Sequence, residues 1–468
     1  MASSPETPTL TETLEARTIE HIPVDERHGK ASQLFTIWFG SNIMLLTVAT
    51  GVLATLVFGL PVWAAAIALI IGNLVGGVVM ALHAAQGPQM GVPQMLQTRA
   101  QFGSYGSLLV VSIVVLMYTA FFASNMVLGG QALASLTGIG ETPAILLVGV
   151  LGVLGAVFGY KVIHAMAGFL SALAGFALLL SLVMLFVIKL PSGTFSVGSF
   201  TWAGFMSTLS LAALWQIAYA PYVSDYTRYM PKDTGVRAAF WATYAGCVLG
   251  SLLPMLLGAV LGAAFPKDDT ISAVRDGAGG FGAFVLAVFA LSIAATNAMN
   301  LYCGALSTLT IGQTLWPKWR PQASMRVIVC IALFAISCVI GLLGKDNFLG
   351  NFSNLMLLLM CVLIPWTAVN LVDFYLLRHG DYDIDSLFEP DGGIYGKFNV
   401  PAVGCYVLGI LVQLPFLSNA LYTGPIAKAM NGVDISWIVG LAVICPVYYF
   451  WAKAARSSHV VLAADATV

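Results

Sequence analysis

The sequence is short of charge. Only 9% of its 468 residues are Asp, Glu, Lys or Arg, against roughly 25% in an ordinary soluble domain. The 20 basic and 21 acidic side chains are bunched in a few segments. So few charges cannot cover the surface of a soluble protein of this length, which excludes a soluble globular enzyme and a disordered chain. A basic field is missing too: the net charge of −1 offers nothing to a phosphate backbone, so a nucleic-acid binder is excluded. No Cys-x-x-Cys pair occurs. Cys247, Cys303, Cys330, Cys338, Cys361, Cys405 and Cys445 all lie in apolar runs, and read as small buried residues rather than a disulfide frame or metal site. Carboxylates are absent from the middle of every apolar run; only Asp225 and Asp373 sit within or beside one. That argues against a carboxylate-lined ion pore and weighs against a carboxylate proton relay. The first 32 residues are polar and acidic, with neither a basic n-region nor a short apolar h-region. No cleavable signal peptide is expected, and the first span would act as the insertion signal.

What the sequence has is hydrophobic length. Apolar residues make up 59% and the mean hydropathy is +0.89. A spanning helix needs about 20 apolar residues, and twelve candidates occur: 33–58, 62–85, 105–131, 143–161, 164–190, 201–222, 236–264, 281–312, 324–343, 350–377, 400–421 and 433–452. The expected class is an all-α polytopic membrane protein embedded in a lipid bilayer. Its amino-terminal tail is 1–32 and its carboxy-terminal tail 453–468. The linker at 86–104 is Gly/Pro-broken and mildly amphipathic, and is expected as a short interfacial helix. The linker at 378–399 is acidic and turn-rich, and is expected as a solvated loop. With the amino terminus in the cytoplasm, fifteen of the 20 basic residues fall inside and five outside. The positive-inside rule therefore puts both termini in the cytoplasm.

Without charge at mid-membrane, function falls to neutral polar groups and to breaks in helices, since unwound backbone at that depth must line a cavity or be buried in protein. Gly40-Ser41-Asn42 interrupts the first span with poor helix formers. A break there frees carbonyls for a cation and amides for a substrate, although small residues also serve close packing. Span 3 carries Tyr118, Phe121, Phe122 and Asn125; Phe121 and Asn125 are four apart and share a face. Span 6 ends in LWQIAYAPYVSDYTRYMP, where Gln216, Tyr219 and Pro221 are unusual company in hydrocarbon. Asp225 and Arg228 at its end read as a solvated helix terminus. Span 8 carries Ser292, Thr296 and Asn300 every four residues as one polar stripe, with Asn297 turned about 100° from Thr296. Breaks at corresponding points of two halves are the best sequence pointer to a transporter site.

The chain resembles the nucleobase–cation symporter-1 family, and more closely its purine–cytosine permease branch. The resemblance is carried by IEHIPVDERHGK, IGNLVGG, GPQMGVPQMLQTRAQFGSYG, PYVSDYTRYMP, ATNAMNLYCGALS, VDFYLLRHGDYDIDSLF and GGIYGKFN. It implies the leucine-transporter fold: inverted five-helix repeats at 33–190 and 201–377, then two added helices within 400–452. It implies import of a nucleobase, cytosine or a purine, coupled to Na+ or H+ and without a cofactor, in the plasma (inner) membrane. Helices 1, 2, 6 and 7 would rock against 3, 4, 8 and 9. By resemblance the base stacks on Phe121, with Asn125 beside it. The helix 6 aromatic of the family falls on Gln216, a departure that leaves Trp215 or Tyr219 to stack. Asn297 takes the place of an asparagine that reads the base edge, and Met44 and Asn42 face the substrate from helix 1. The cation site falls on Gly40, Ile43, Ser292 and Thr296; Ala295 stands where the family has a second hydroxyl. Another heterocycle (a hydantoin, allantoin, or a vitamin-like pyridine or pyrimidine) is the alternative cargo. A membrane-embedded enzyme is the alternative of another class, but His83 and His164 are single and unassisted.

Overall fold

The computed structural model of the chain describes residues 18–465 apart from 159, 189 and 420, with the side chains of 158, 160–167, 234 and 456–465 also outside the described set. Residues 1–17 and 466–468 of the expected tails, and the side chains of Lys161, His164, Lys189 and Arg456, lie outside the described residues.

Among the described residues the regular elements are helical, apart from one isolated bridge between Ser418 and Thr423. We number the spans in chain order: α1a (Ala31–Asn42) and α1b (Leu45–Leu56), α2 (Val62–Ala84), α3 (Ser107–Thr137), α4 (Glu141–Phe158), α5 (Tyr160–Val187), α6a (Trp202–Ile217) and α6b (Ala220–Thr227), α7 (Lys232–Ala264), α8 (Gly282–Leu315), α9 (Ala323–Gly344), α10 (Phe348–Leu371), α11 (Val400–Gln413) and α12 (Ser436–Asp465). Seven stretches qualify as membrane spans by length and composition, one of them joining α9 to α10, and the bent α1 pair passes as an eighth. Two shorter apolar helices, α4 and α11, and the divided α6 complete the twelve expected spans. The chain is an integral multi-pass membrane protein. Its outer face is oily, with Phe169, Phe186, Trp202 and Leu343 well exposed, as lipid contact requires.

Packing divides the spans into two bodies. In one, α6a and α7 lie against α2, and α7 lies against both halves of α1. Glycines set these distances: Gly72 and Gly76 of α2 bring its backbone against Leu209 and Ala213 of α6a, and Gly51 and Gly258 do the same between α1b and α7. A Cβ at any of the four would collide with backbone, so these are small-residue contacts of the kind that let membrane helices approach. In the other body, α3, α4 and α9 pack around α8. α10, α11 and α12 pack together at the side.

Two expectations about the linkers are corrected. The short helix Gln94–Phe102 between α2 and α3 is buried at all nine positions, not interfacial. Arg99 anchors it, donating to the carbonyls of Leu387 (2.9 Å) and Thr310 (2.8 Å) and to the Thr314 hydroxyl (2.6 Å). The loop at 378–399 is not simply solvated: Leu387 and Tyr395 form a small second core with Met90, Val92, Leu96, Ala100 and Phe374. Apolar residues spaced among the loop's acids let one side pack while the other stays wet. α12 also continues to Asp465, through most of the segment expected as a tail.

Candidate functional site

The site begins with two interruptions. α1a stops at Asn42; Ile43 (φ −86°, ψ 84°) and Met44 (φ −150°, ψ 168°) leave the helical region, and the halves meet at 57°. Gly40 also lets α5 approach, since a Cβ there would lie 2.8 Å from that of Ser171. Break and close packing therefore coexist in one segment. α6 is interrupted at Ala218–Tyr219, with Pro221 in the first turn of α6b, where its missing N–H is least costly. The Pro221 carbonyl accepts from the Tyr118 hydroxyl of α3 at 2.8 Å, which ties the two bodies together.

Both interruptions open on one cavity. Met44 lines it from the α1 break, Phe121 and Asn125 from α3, and Thr296 and Asn300 from α8. Trp215, Ala218, Tyr219 and Tyr222 line it from α6. Phe121 and Trp215 meet edge to face, with centroids 6.4 Å apart and planes at 84°. Tyr219 lies 6.2 Å from Trp215 and 5.5 Å from Tyr222. The rings leave about 10 Å³ between them, roughly the space of one water. A ligand therefore enters only when rings turn or the two bodies part. None of the lining side chains carries a formal charge. Asn125 Oδ1 is buried there without a hydrogen-bond partner. An open acceptor in a dry cavity costs about 1–3 kcal/mol until a ligand N–H meets it, so it favours a ligand that brings a donor.

Of the residues singled out for substrate, Phe121, Asn125, Trp215, Tyr219 and Met44 come together on this cavity. Gln216, Asn297 and Asn42 do not line it. Gln216 points away, donating to Asn73 Oδ1 (2.7 Å), Ser251 Oγ (3.2 Å) and the Cys247 carbonyl (3.3 Å) between α2 and α7. One residue along a helix is about 100° of rotation, so Gln216 and Trp215 cannot both face the cavity. Asn297 donates to the Phe122 carbonyl at 3.2 Å and accepts from Asn300 Nδ2 at 3.2 Å. Asn42 is saturated by Trp38, Trp215 and Ser251. Three lining residues were not on the sequence-based list: Ala218, Tyr222 and Asn300. Asn300 belongs to the polar stripe with Thr296, and the Tyr222 hydroxyl donates to its Oδ1 at 2.8 Å. Trp215, Tyr219 and Tyr222 follow an i, i+4, i+7 spacing, a helical face already legible in the sequence.

Around the α1 break, Thr296 Oγ1 lies 2.8 Å from the Ser41 carbonyl and 3.2 Å from that of Ser292. Of the residues named for the cation, Thr296 thus meets the break, while Ser292 is bonded to it one turn back along α8. The carbonyl in reach of Thr296 is Ser41's, one residue from Gly40 and two from Ile43. The Ser292 hydroxyl donates back to Val288 at 3.1 Å, and the Gly40 carbonyl accepts from the Ile43 amide at 3.3 Å.

The solvated-terminus expectation for Asp225 and Arg228 is corrected. Both are fully buried; Asp225 accepts from the Gln94 amide at 2.8 Å, and Arg228 donates to the Tyr229 hydroxyl at 3.1 Å. The buried helix Gln94–Phe102 takes the place that solvent was expected to hold. Asp373 is equally buried, accepting from Tyr382 (2.7 Å), Tyr448 (3.1 Å) and Arg378 (3.1 Å).

Two helical bodies that share one cavity, one lining it at its interrupted helices α1 and α6 and the other with the continuous α3 and α8, define a secondary transporter by class. The comparisons with known proteins agree. The family described as permease for cytosine/purines, uracil, thiamine, allantoin matches residues 21–440. YxlA of Bacillus subtilis, whose name places it among purine-cytosine permeases, is 39% identical over 444 residues, covering 94% of this chain and 96% of its own. The purine-cytosine permease fcyB of Emericella nidulans is 26% identical, covering 92% of this chain and 86% of its own. Among solved structures, Mhp1, a nucleobase-cation-symport-1 family transporter in a closed conformation with bromovinylhydantoin bound, superposes with a TM-score of 0.73 at 20% identity, covering 94% and 96% of the two chains. The chain belongs to the cytosine/purine permease family. It has the five-plus-five architecture of the leucine transporter with two added helices, and it is a transporter, not an enzyme.

Proposed function

We propose that this chain imports a nucleobase, cytosine or a purine, across the plasma (inner) membrane by cation symport. Both termini would be cytoplasmic, and the inverted repeats would run 33–190 and 201–377. One observation carries the substrate class: an uncharged cavity walled by Phe121, Trp215, Tyr219 and Tyr222, with the amides of Asn125 and Asn300 at its edge. A flat neutral ring gains dispersion from aromatic faces. Its ring N–H and carbonyl groups need matched partners in a dry site, and each mismatch costs about 1–3 kcal/mol. Asn125 Oδ1 would accept from a ring N–H, and Asn300 would read the opposite edge, held by Tyr222 and Asn297. Access alternates as the body of α1, α2, α6 and α7 rocks against α3, α4, α8 and α9.

Counterflow of labelled bases in proteoliposomes tests this reading. Unlabelled cytosine or a purine inside should accelerate entry of the same label. No acceleration by any nucleobase, with acceleration by allantoin, a hydantoin or a vitamin-like pyrimidine, would transfer the function to the second reading. That reading draws support from the breadth of the family's description.

Sodium is the favoured driver. The Thr296 hydroxyl and the Ser41 and Ser292 carbonyls converge at the α1 break, oxygens of the kind a hard cation binds, and no lining side chain is a carboxylate or histidine that could carry a proton. Thr296→Ala should raise the sodium needed for half-maximal uptake at least several-fold. Wild-type uptake equally fast in sodium-free choline buffer would assign the coupling to protons instead, the choice that the missing hydroxyl at Ala295 favours.

A further inference from the structure

We propose that Asn42 is the positioning residue through which cation binding at the α1 break sets Trp215 for substrate; this rests on the cavity being the nucleobase site. Asn42 sits between two features that the transport cycle must link. Its backbone neighbour Ser41 offers its carbonyl to Thr296 of α8 at 2.8 Å. Its side chain holds Trp215 of α6a, which lines the cavity.

The orientation of the Asn42 amide follows from its partners. The Trp38 carbonyl, 2.7 Å from Nδ2, can only accept. The Trp215 indole N–H, 2.8 Å from Oδ1, can only donate. The Ser251 hydroxyl of α7 lies 2.9 Å from Oδ1 and 2.7 Å from the Cys247 carbonyl, with one proton to share between the two acceptors. Asn42 is fully buried, so water cannot replace any of these bonds. The side chain has one arrangement available to it.

The link to the cation runs through a single peptide plane. The Ser41 carbonyl and the Asn42 nitrogen share one planar group, so turning that carbonyl toward a cation rotates the start of Asn42. Thr296 has one proton for two carbonyl acceptors, Ser41 at 2.8 Å and Ser292 at 3.2 Å. A cation taking the Ser41 oxygen leaves that proton to Ser292. The peptide can turn because the helix stops here: Ile43 and Met44 are out of the helical region. What turns with it is the amide that fixes the Trp215 ring, 6.4 Å from Phe121. The cation then changes substrate affinity without touching substrate, which is coupling in the thermodynamic sense.

The test is the dependence of nucleobase affinity on the cation, measured by calorimetry on purified protein with sodium varied in one arm and pH in the other. In the wild type the effective cation should tighten the base by about 5–150-fold, the usual span of such coupling. Asn42→Ala should reduce that ratio to below about twofold, beyond any general loss of affinity. Trp215→Phe keeps a ring in place but removes the indole N–H, and should give the same collapse. The double variant should lose no more than either single one. A wild-type ratio retained in Asn42→Ala, or in Trp215→Phe where Asn42→Ala does not fold, overturns the proposal. So does a wild type that binds the base with no cation dependence. A wild type that binds no base at all brings down the substrate reading instead.

Discussion

The cavity and the charged cluster around the short helix Gln94–Phe102 are equally buried and are built in opposite ways. Around the cavity the polar groups are neutral, and at least one of them, Asn125 Oδ1, is left open. Beside the short helix Gln94–Phe102, buried polar groups carry full charge. Arg99 donates to two carbonyls and a hydroxyl, Asp225 of α6b accepts from the Gln94 backbone amide, and Asp373 accepts from three side chains. A buried charge must be largely compensated; Arg99 Nε is itself left without a partner, but its other two nitrogens and the two carboxylates fasten elements together. An open neutral group is affordable in free energy at about 1–3 kcal/mol, so it can wait for a ligand. Burial alone does not separate a lock from a recognition site, and open polar atoms occur in both; what separates them is the charge on the groups and the elements those groups join.

The largest effect should come from breaking the lock. Burial lowers the pKa of Arg99 to about 10, so it remains protonated at neutral pH. Arg99→Ala removes a charged donor and strands its acceptors, and hydrogen bonds to charged groups are each worth about 1.5–3 kcal/mol. Folded yield in detergent should fall steeply, measured by size-exclusion profile and melting temperature. A variant that melts like the wild type would show that the cluster is not what holds the short helix.

On the cavity side, Asn300→Ala should leave melting within a few degrees and reduce base affinity by about tenfold or more, the cost of one unmatched polar group. Asn297→Ala should cost less, because Asn297 reaches the cavity only through Asn300. If Asn297→Ala proves the more damaging in a binding assay, the order of the two asparagines is reversed. Phe121→Leu should weaken binding by about 2–12-fold, the range of an aromatic pair beyond area burial. Gln216→Leu should have the smallest effect on selectivity among bases while lowering stability, since its partners are Asn73, Ser251 and Cys247. A changed ranking of bases in competition uptake would put Gln216 back in contact with substrate.

Helix periodicity followed the lining of this cavity more closely than the family's positions did. The stripe of Ser292, Thr296 and Asn300 puts Asn300 on the cavity, whereas the position taken from family resemblance, Asn297, lies one step behind it. The same holds on α6: Trp215, Tyr219 and Tyr222 share a face, and Gln216 is rotated off it. The break at Gly40-Ser41-Asn42 was legible because poor helix formers cluster there. Its detailed bonding was not, because Asn42 is held by residues 173 and 209 positions away. The buried charges near the short helix were misread for a related reason. Local sequence reports that Asp225, Arg228 and Arg99 are charged, and only the covering helix and loop decide whether water reaches them.

By itself the sequence determined the solvent of this protein. Nine per cent charge and twelve apolar runs leave a bilayer as the only medium in which the chain can satisfy its backbone, through helices. Composition and 3.6-residue periodicity also determined which helices carry polar stripes and where two of them give way. The tertiary structure decided which of those polar groups face the cavity, which face a neighbouring helix, and which are sealed from water. Those outcomes depend on contacts between residues far apart in the chain, and no local pattern encodes them.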